Sequence, residues 1–384
     1  MKDSSEPRLL FAFLGDVRQS SRALRQLVAL REAGFQLEIY TLGPAPQNSN
    51  FADSLTVGPD IQVHVIDSRF ESGPRMFLDV HKKLLKATQK SDADVYMASD
   101  LFVLPALAVH AGRKKARLVF DSRELYSHLD SHRSRPLVRA FWRFVERRYI
   151  KETDLVLTVN QSIAEQLAHL YRIRPPVVVR NIPPSQQIPT TKRLRERLGI
   201  DTITRIALYQ GGLRRGRGIE VLIRAARQIP EAAFVVVGSG PLLNELRHLS
   251  SDASNVHFIP HIAPFELLSF TASADLGIHL MEDTCLNHRL ALPNKIFEYL
   301  MAGLPVVASD LPEIAKVVKG FDTGLVVDPT NPNSVVEAIR TALFDDSARK
   351  TWTNNIPSVF EEYSWENDRE LFLQRIRGIL HDKH

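Results

Sequence analysis

The stretch Ala291–Asp310, ALPNKIFEYLMAGLPVVASD, joins a short helix to a strand through a glycine. Pro293 suits the first turn of a helix, where a missing N–H costs nothing. Ile296, Phe297, Leu300 and Met301 share one apolar face, and Gly303 fits a left-handed cap. Val306, Val307 and Ala308 form a continuous apolar run, the pattern of a parallel strand covered on both faces by helices. Glu298 interrupts the packing. The helix start, at Asn294 and Lys295, offers free N–H groups and the positive end of a dipole to an anion. A carboxylate and an anion cradle on one short helix suit a ribose and a phosphate.

Upstream, the strand-like run Arg205–Gln210 leads into Gly211-Gly212-Leu213-Arg214-Arg215-Gly216-Arg217-Gly218 and then a helix. Glycines let backbone N–H groups approach a phosphate, and arginines bind it through paired hydrogen bonds. There is no GK[ST], so this is not a P-loop. The run Ala233–Val237 ends in a second glycine loop at Gly238, and further strand-like runs lie at Val256–Pro260, Asp275–Leu280 and Gly324–Val327. The first half alternates in the same way, with apolar runs at Leu9–Leu14, Phe35–Leu42, Ile61–Ile66, Asp94–Ala98, Ala116–Asp121, Leu155–Val159 and Pro176–Arg180. Its first turn carries only Gly15, which disfavours a dinucleotide fingerprint there.

The expected architecture is α/β, two tandem Rossmann-like doubly wound parallel sheets. The segment Pro183–Thr191 is rich in Pro and polar residues, and the expected boundaries are 1–185 for the first domain, 186–200 for a linker, 201–364 for the second, and 365–384 for a C-terminal helix packing back across the domains. That helix has Leu371, Phe372, Ile376 and Leu380 on its apolar side. Ligands in open α/β sheets bind at the carboxyl ends of the strands, and two such domains would face one cleft.

Composition narrows the class. The 384 residues are 44% hydrophobic and 24% charged, as in a soluble globular protein. The single Cys285 excludes an internal disulfide and a four-cysteine zinc site, and favours a reducing compartment. The apolar run Leu9–Leu14 is too short for a signal peptide, and no run reaches membrane-spanning length. His64, His128, His261 and His288 show no metal-binding spacing, and no metal is expected.

Charge is uneven. Residues 1–185 carry 27 Lys and Arg against 20 Asp and Glu, net +7; residues 186–384 carry 22 against 24, net −2. An anionic partner for the first half follows. Nucleic acid is disfavoured, since the basic residues lack interleaved exposed aromatics. The helix 135–151 places Arg135, Arg139, Arg143 and Arg147 on one stripe, with Leu137, Phe141, Phe144 and Val145 opposite. It could lie on an anionic membrane or pack its apolar side on the sheet.

The pieces YQGGLRRGRGIEVLIRAA, VVVGSGP and LPNKIFEYLMAGLPVVASDLPE, with DVYMASDLFVLPALA, LVFDSRELY and LVLTVNQSIAEQL before them, resemble the retaining glycosyltransferases of family 4, which have the GT-B fold. The resemblance implies a nucleotide diphosphate sugar donor, UDP or GDP linked, a glycan or lipid-linked acceptor, and no further cofactor. It also implies a cytoplasmic protein, peripheral on the inner face of the membrane if the acceptor is a lipid. Donor binding would involve Gly211, Gly212, Arg214, Arg217, Gly238, Asn294, Lys295 and Glu298. Among these, Arg217, Lys295 and Glu298 are the catalytic candidates. Acceptor-side candidates are Gly15, Asp16, Arg18, Asp100, Asp121, Arg123 and Glu124.

Two departures stand out. The family's E-x7-E motif keeps its second glutamate as Glu298, but Leu290 replaces the first. Where many relatives carry the histidine of a D-x-H-E run, this chain has Arg123. A nucleotide-sugar epimerase of the same fold and an inactive sugar-nucleotide-binding scaffold subunit are the alternatives.

Overall fold

The structure is a computed structural model that describes residues 6–17, 20–42, 62–70, 73–189, 191–262 and 264–381. It divides into two compact units, residues 1–180 with 367–384, and residues 181–366. Residues 186–200 are more than a connector: Arg193–Leu198 is helical, with Leu194 buried and its N–H bonded to Ser273 Oγ.

The first unit holds β1 (Arg8–Leu14), β2 (Gln36–Leu42), β3 (Gln62–Ile66), β4 (Val95–Ala98), β5 (Arg117–Ser122), β6 (Leu155–Thr158) and β7 (Val177–Val178). They pair in parallel in the order β3-β2-β1-β4-β5-β6-β7. Leu9 sits between Leu37 and Val95 in register, and Leu9 to Ala12 have no solvent contact. This double-sided burial explains why β1 reads as an unbroken apolar run. Two of the intervening helices begin at side-chain caps: Ser20 accepts from the Ala23 N–H, and Asn160 from that of Ile163. The last strand is two residues long, much shorter than the run Pro176–Arg180 suggested.

The helix Trp365–His381 contributes most of its length to the first unit. Asp368 accepts from the Arg180 backbone N–H (2.6 Å) and guanidinium (3.0 Å), and Arg369 pairs with Glu32 at 2.7 Å. Its buried side is Phe372, Leu373, Ile376 and Ile379; Leu371 and Leu380, expected there, remain partly exposed.

The second unit holds β8 (Arg205–Gln210), β9 (Ala232–Val237), β10 (Val256–Ile259), β11 (Leu276–His279), β12 (Val306–Ser309) and β13 (Gly324–Val327). Their order is β10-β9-β8-β11-β12-β13, again parallel. Its core joins Ile278 and Phe234 to Leu222, Ile223 and Ile339 from the covering helices. In each sheet the strand order reverses once, between β1 and β4 and between β8 and β11. Connections leave in opposite directions at that point, which opens a crevice beyond the strand ends.

Candidate active site

At the second unit's reversal point, β8 ends in Gln210 and runs straight into Gly211. The helix Asn294–Met301 lies beside it and is capped by Pro293, which stays in extended conformation outside the helix. Pro293 was expected in the first turn, so the helix starts one residue later. Tyr299 bridges the two central strands, accepting from the Gln210 N–H (3.0 Å) and donating to the Ile278 carbonyl (3.1 Å). Its ring occupies the space over Gly277, where a Cβ would overlap it.

That bridge places Glu298 beside Gln210. Gln210 Nε2 donates to Glu298 Oε2 at 2.7 Å, and Asn294 Nδ2 donates to Oε1 at 2.6 Å. Thr271 Oγ1 donates to Gln210 Oε1 at 2.8 Å and so sets which way the amide faces. Glu298 is only 8% exposed, a carboxylate held in one orientation by a donor on each oxygen.

Lys295 projects from the same helix onto the glycine loop. Its ammonium lies 4.8 Å over the ring of Tyr209, whose hydroxyl donates to the Gly212 carbonyl. Gly211 has φ +139°, and a Cβ there would collide with Lys295 Nζ. Gly238 has φ +149°, and a Cβ there would collide with the Gly211 carbonyl. Backbone conformation favours glycine at both positions, and at Gly238 the neighbouring backbone carbonyl demands it as well. Burial first, and then the Arg217 charge, bring the Lys295 ammonium down to a pKa of about 7, against the opposing pull of Glu298.

Arg217 is partly exposed, with Met281 Sδ 4.0 Å from its guanidinium. Arg214 and Gly212 are exposed on the loop, and Arg215 pairs with Glu245 at 3.2 Å. At the end of β11, His279 is fully buried, and neither ring nitrogen has a hydrogen-bond partner among the described residues. Burial, followed by the charges of Lys295, Arg217 and His288, holds its pKa well below the usual histidine range, so the ring is neutral. Leu290 caps the short helix Leu286–Arg289 through a bond to the Leu286 carbonyl. The result is a cation-rich loop and helix start whose backbone can approach an anion closely.

The first unit's reversal point is built differently. Gly15, at φ +115°, stands against the Phe13 ring, and the Arg123 guanidinium lies 4.7 Å over that ring. Asp100 is buried, 4.0 Å from Arg123, and accepts from the N–H groups of Leu14, Phe102 and Val103. Burial raises its pKa, against Arg123 and those three amides. Asp121 is buried in a bidentate pair with Arg22 (2.6 and 2.8 Å) and also accepts from Gln26. These two carboxylates, expected on the acceptor side, hold loops and a helix in place. Glu124 is exposed, Asp16 partly so, and Arg18 lies outside the described residues.

A family model for glycosyl transferases group 1 matches residues 190–359, and one for a glycosyl transferase 4-like domain matches residues 19–184. The chain belongs to the family 4 glycosyltransferases. Its fold is GT-B: HepE of Anabaena, solved in complex with UDP-glucose, aligns with a TM-score of 0.75 at 15% identity over 97% of this chain and 99% of that one. D-inositol 3-phosphate glycosyltransferase of Corynebacterium jeikeium is 26% identical over 59% of this chain and 58% of its own. GDP-mannose-dependent alpha-(1-6)-phosphatidylinositol monomannoside mannosyltransferase of Mycobacterium tuberculosis is 29% identical over 69% and 72%. The chain spans about three fifths of the length of the first curated relatives it matches.

Within this family 4 chain, the structure gathers Gly211, Gly238, Asn294, Lys295 and Glu298 at one reversal point, with Arg217 close enough to depress the Lys295 pKa. Sequence reasoning missed Gln210, Tyr299 and His279. Gln210 and His279 did leave a signal: each is a polar residue closing a buried apolar strand, at the end where ligands bind.

Proposed function

We propose that this chain transfers a sugar, with retention of anomeric configuration, from a nucleoside diphosphate sugar to a hydroxyl of a glycan or lipid-linked acceptor. The observation that carries the reading is the pairing of Glu298, fixed by Gln210 and Asn294, with Lys295 against the Gly211 backbone. In this reading the Glu298 carboxylate accepts the ribose hydroxyls. Lys295, Arg217 and the loop amides take the diphosphate, and Arg214 reaches it from the exposed loop.

The sugar C1–O bond to the diphosphate breaks as a C1–O bond to the acceptor forms on the same face. Negative charge grows on the departing diphosphate, where preorganised cations stabilise it. The acceptor proton passes to the departing diphosphate oxygen, because Arg123, standing near the acceptor side, cannot accept one at neutral pH. Diphosphate binding draws a proton onto Lys295, which is poised at about 7. No cofactor beyond the donor is proposed, so turnover should survive chelation of divalent metals.

The substrates in the relatives' names, an inositol phosphate and a phosphatidylinositol mannoside, support an acceptor carrying a phosphate or a lipid. The test is titration calorimetry and nucleotide release with a panel of UDP- and GDP-sugars. Binding with slow release of UDP or GDP supports transfer. Binding without release, also in the presence of acceptors, favours the scaffold reading, and no binding overturns the donor site.

A further inference from the structure

The helix Pro136–Tyr149 buries Trp142, Val145 and Glu146. Trp142 is locked by edge-on contacts with Phe77 (4.9 Å) and Phe102 (4.8 Å). Leu137, Phe141 and Phe144, for which the sequence left open a membrane surface or the sheet, are 84%, 56% and 68% exposed. On a helical wheel these three form one stripe, and Arg139, Arg143 and Arg147 form the next, also exposed. The three arginines, with Pro136, Ala140 and Phe144, line a shallow groove of about 320 Å³. The acids of this stretch of chain are engaged elsewhere: Glu146 is buried and bonded to Tyr171, and Glu152 pairs with Arg148.

We propose that this face docks on an anionic bilayer. Arg139, Arg143 and Arg147 bind lipid phosphates in the groove, while Leu137, Phe141 and Phe144 enter the boundary between headgroups and acyl chains. A monotopic helix needs this juxtaposition of an exposed apolar stripe and a cationic one. A second copy of the chain is a poorer occupant: a two-fold contact centred on the arginines would set them against each other, and one centred on the apolar stripe would leave them unpaired. Nucleic acid would use the arginines but leave Leu137 without a role. Among the described residues no helix is long and apolar enough to cross a membrane, so the chain would lie on the surface. The proposal extends the acceptor side of the transfer reading towards lipid-linked acceptors, but its test is binding and does not depend on turnover.

The full chain is sedimented with vesicles of phosphatidylcholine alone and of phosphatidylcholine mixed with phosphatidylglycerol, at low and high salt. The wild type is expected on the anionic vesicles and to be released by salt. R139S/R143S should weaken that binding roughly tenfold or more, and L137S/F144S by a similar factor through loss of apolar insertion. All these residues are exposed, so circular dichroism and unfolding temperature should match the wild type. Soluble glycerol phosphate should not compete, which separates a bilayer from a free phosphate ligand. Equal binding to neutral vesicles, no binding, or full binding by either variant overturns the proposal. So does a dimer in solution that the same substitutions dissolve without any vesicle binding.

Discussion

The two halves of this chain share a topology and use it in opposite ways. Each sheet reverses strand order once, and each reversal point is edged by a glycine with positive φ, Gly15 in the first unit and Gly211 in the second. In the second unit the polar groups there are not all taken up by the fold: Lys295 is kept partly uncharged, His279 lacks partners among the described residues, and Glu298 is aimed by two amides. In the first unit the acids are consumed internally, Asp100 by three backbone amides and Asp121 by Arg22 and Gln26. Topology sets where a ligand can sit. Whether the side chains there are spent on the fold or held in reserve decides what the place can do.

The contrast can be broken from the structural side first. Asp121→Ala leaves Arg22 buried without its counter-charge, and should cost about 3–5 kcal/mol in denaturant unfolding. If Asp121 were an acceptor ligand with no structural task, stability would not move. Lys295→Ala removes a fixed cation from the leaving group, and turnover should fall about 100- to 1000-fold with the unfolding midpoint unchanged or raised. Glu298→Gln should lower donor affinity or turnover by roughly tenfold, the loss of one charge-assisted contact. Wild-type kinetics in both variants would remove the donor assignment.

Two pH measurements sharpen the same comparison. Free Lys295 titrates at about 7, and a bound diphosphate favours its charged form. Donor binding at pH 8 should therefore take up a proton, and affinity should weaken as pH rises above 7, by at most about tenfold per unit. Calorimetry in buffers of different ionisation enthalpy reads the uptake, and Lys295→Met should abolish it. In the first unit, burial lifts Glu146 to about 7, although Tyr171 donates to it at 2.5 Å. A folded-state pKa raised above the unfolded one contributes stability at low pH that is lost as pH rises through the folded value. Glu146→Gln should thus gain stability relative to wild type between about pH 5 and 8, a small shift measurable as unfolding temperature against pH.

Much of the plan was legible in the chain. Continuous apolar runs at Leu9–Leu14 and Val306–Ala308 identify strands buried on both faces, and glycines at their ends mark the loops that matter. Glu298 was conspicuous as a carboxylate in an apolar helix. For the arginine helix the sequence left two readings open, for a physical reason. Its sequence offers two apolar arcs, one around Trp142 and Val145 and one around Leu137, Phe141 and Phe144. Periodicity ranks them equally, and only the aromatic side chains of Phe77 and Phe102, waiting on neighbouring elements, select the first.

What the amino-acid sequence determined by itself is local. Strand and helix periods, the glycine turns and the positive balance of the first half follow from interactions within a few residues or from simple summation. What the tertiary structure alone decided is pairing across distance. Gln210 meets Glu298 from 88 positions away, and Arg22 meets Asp121 from 99. A buried polar group must find its partner wherever the fold brings one, because leaving it unpaired costs more than the bond itself contributes. That requirement spends Asp121 on the core and leaves Lys295 beside an open glycine loop.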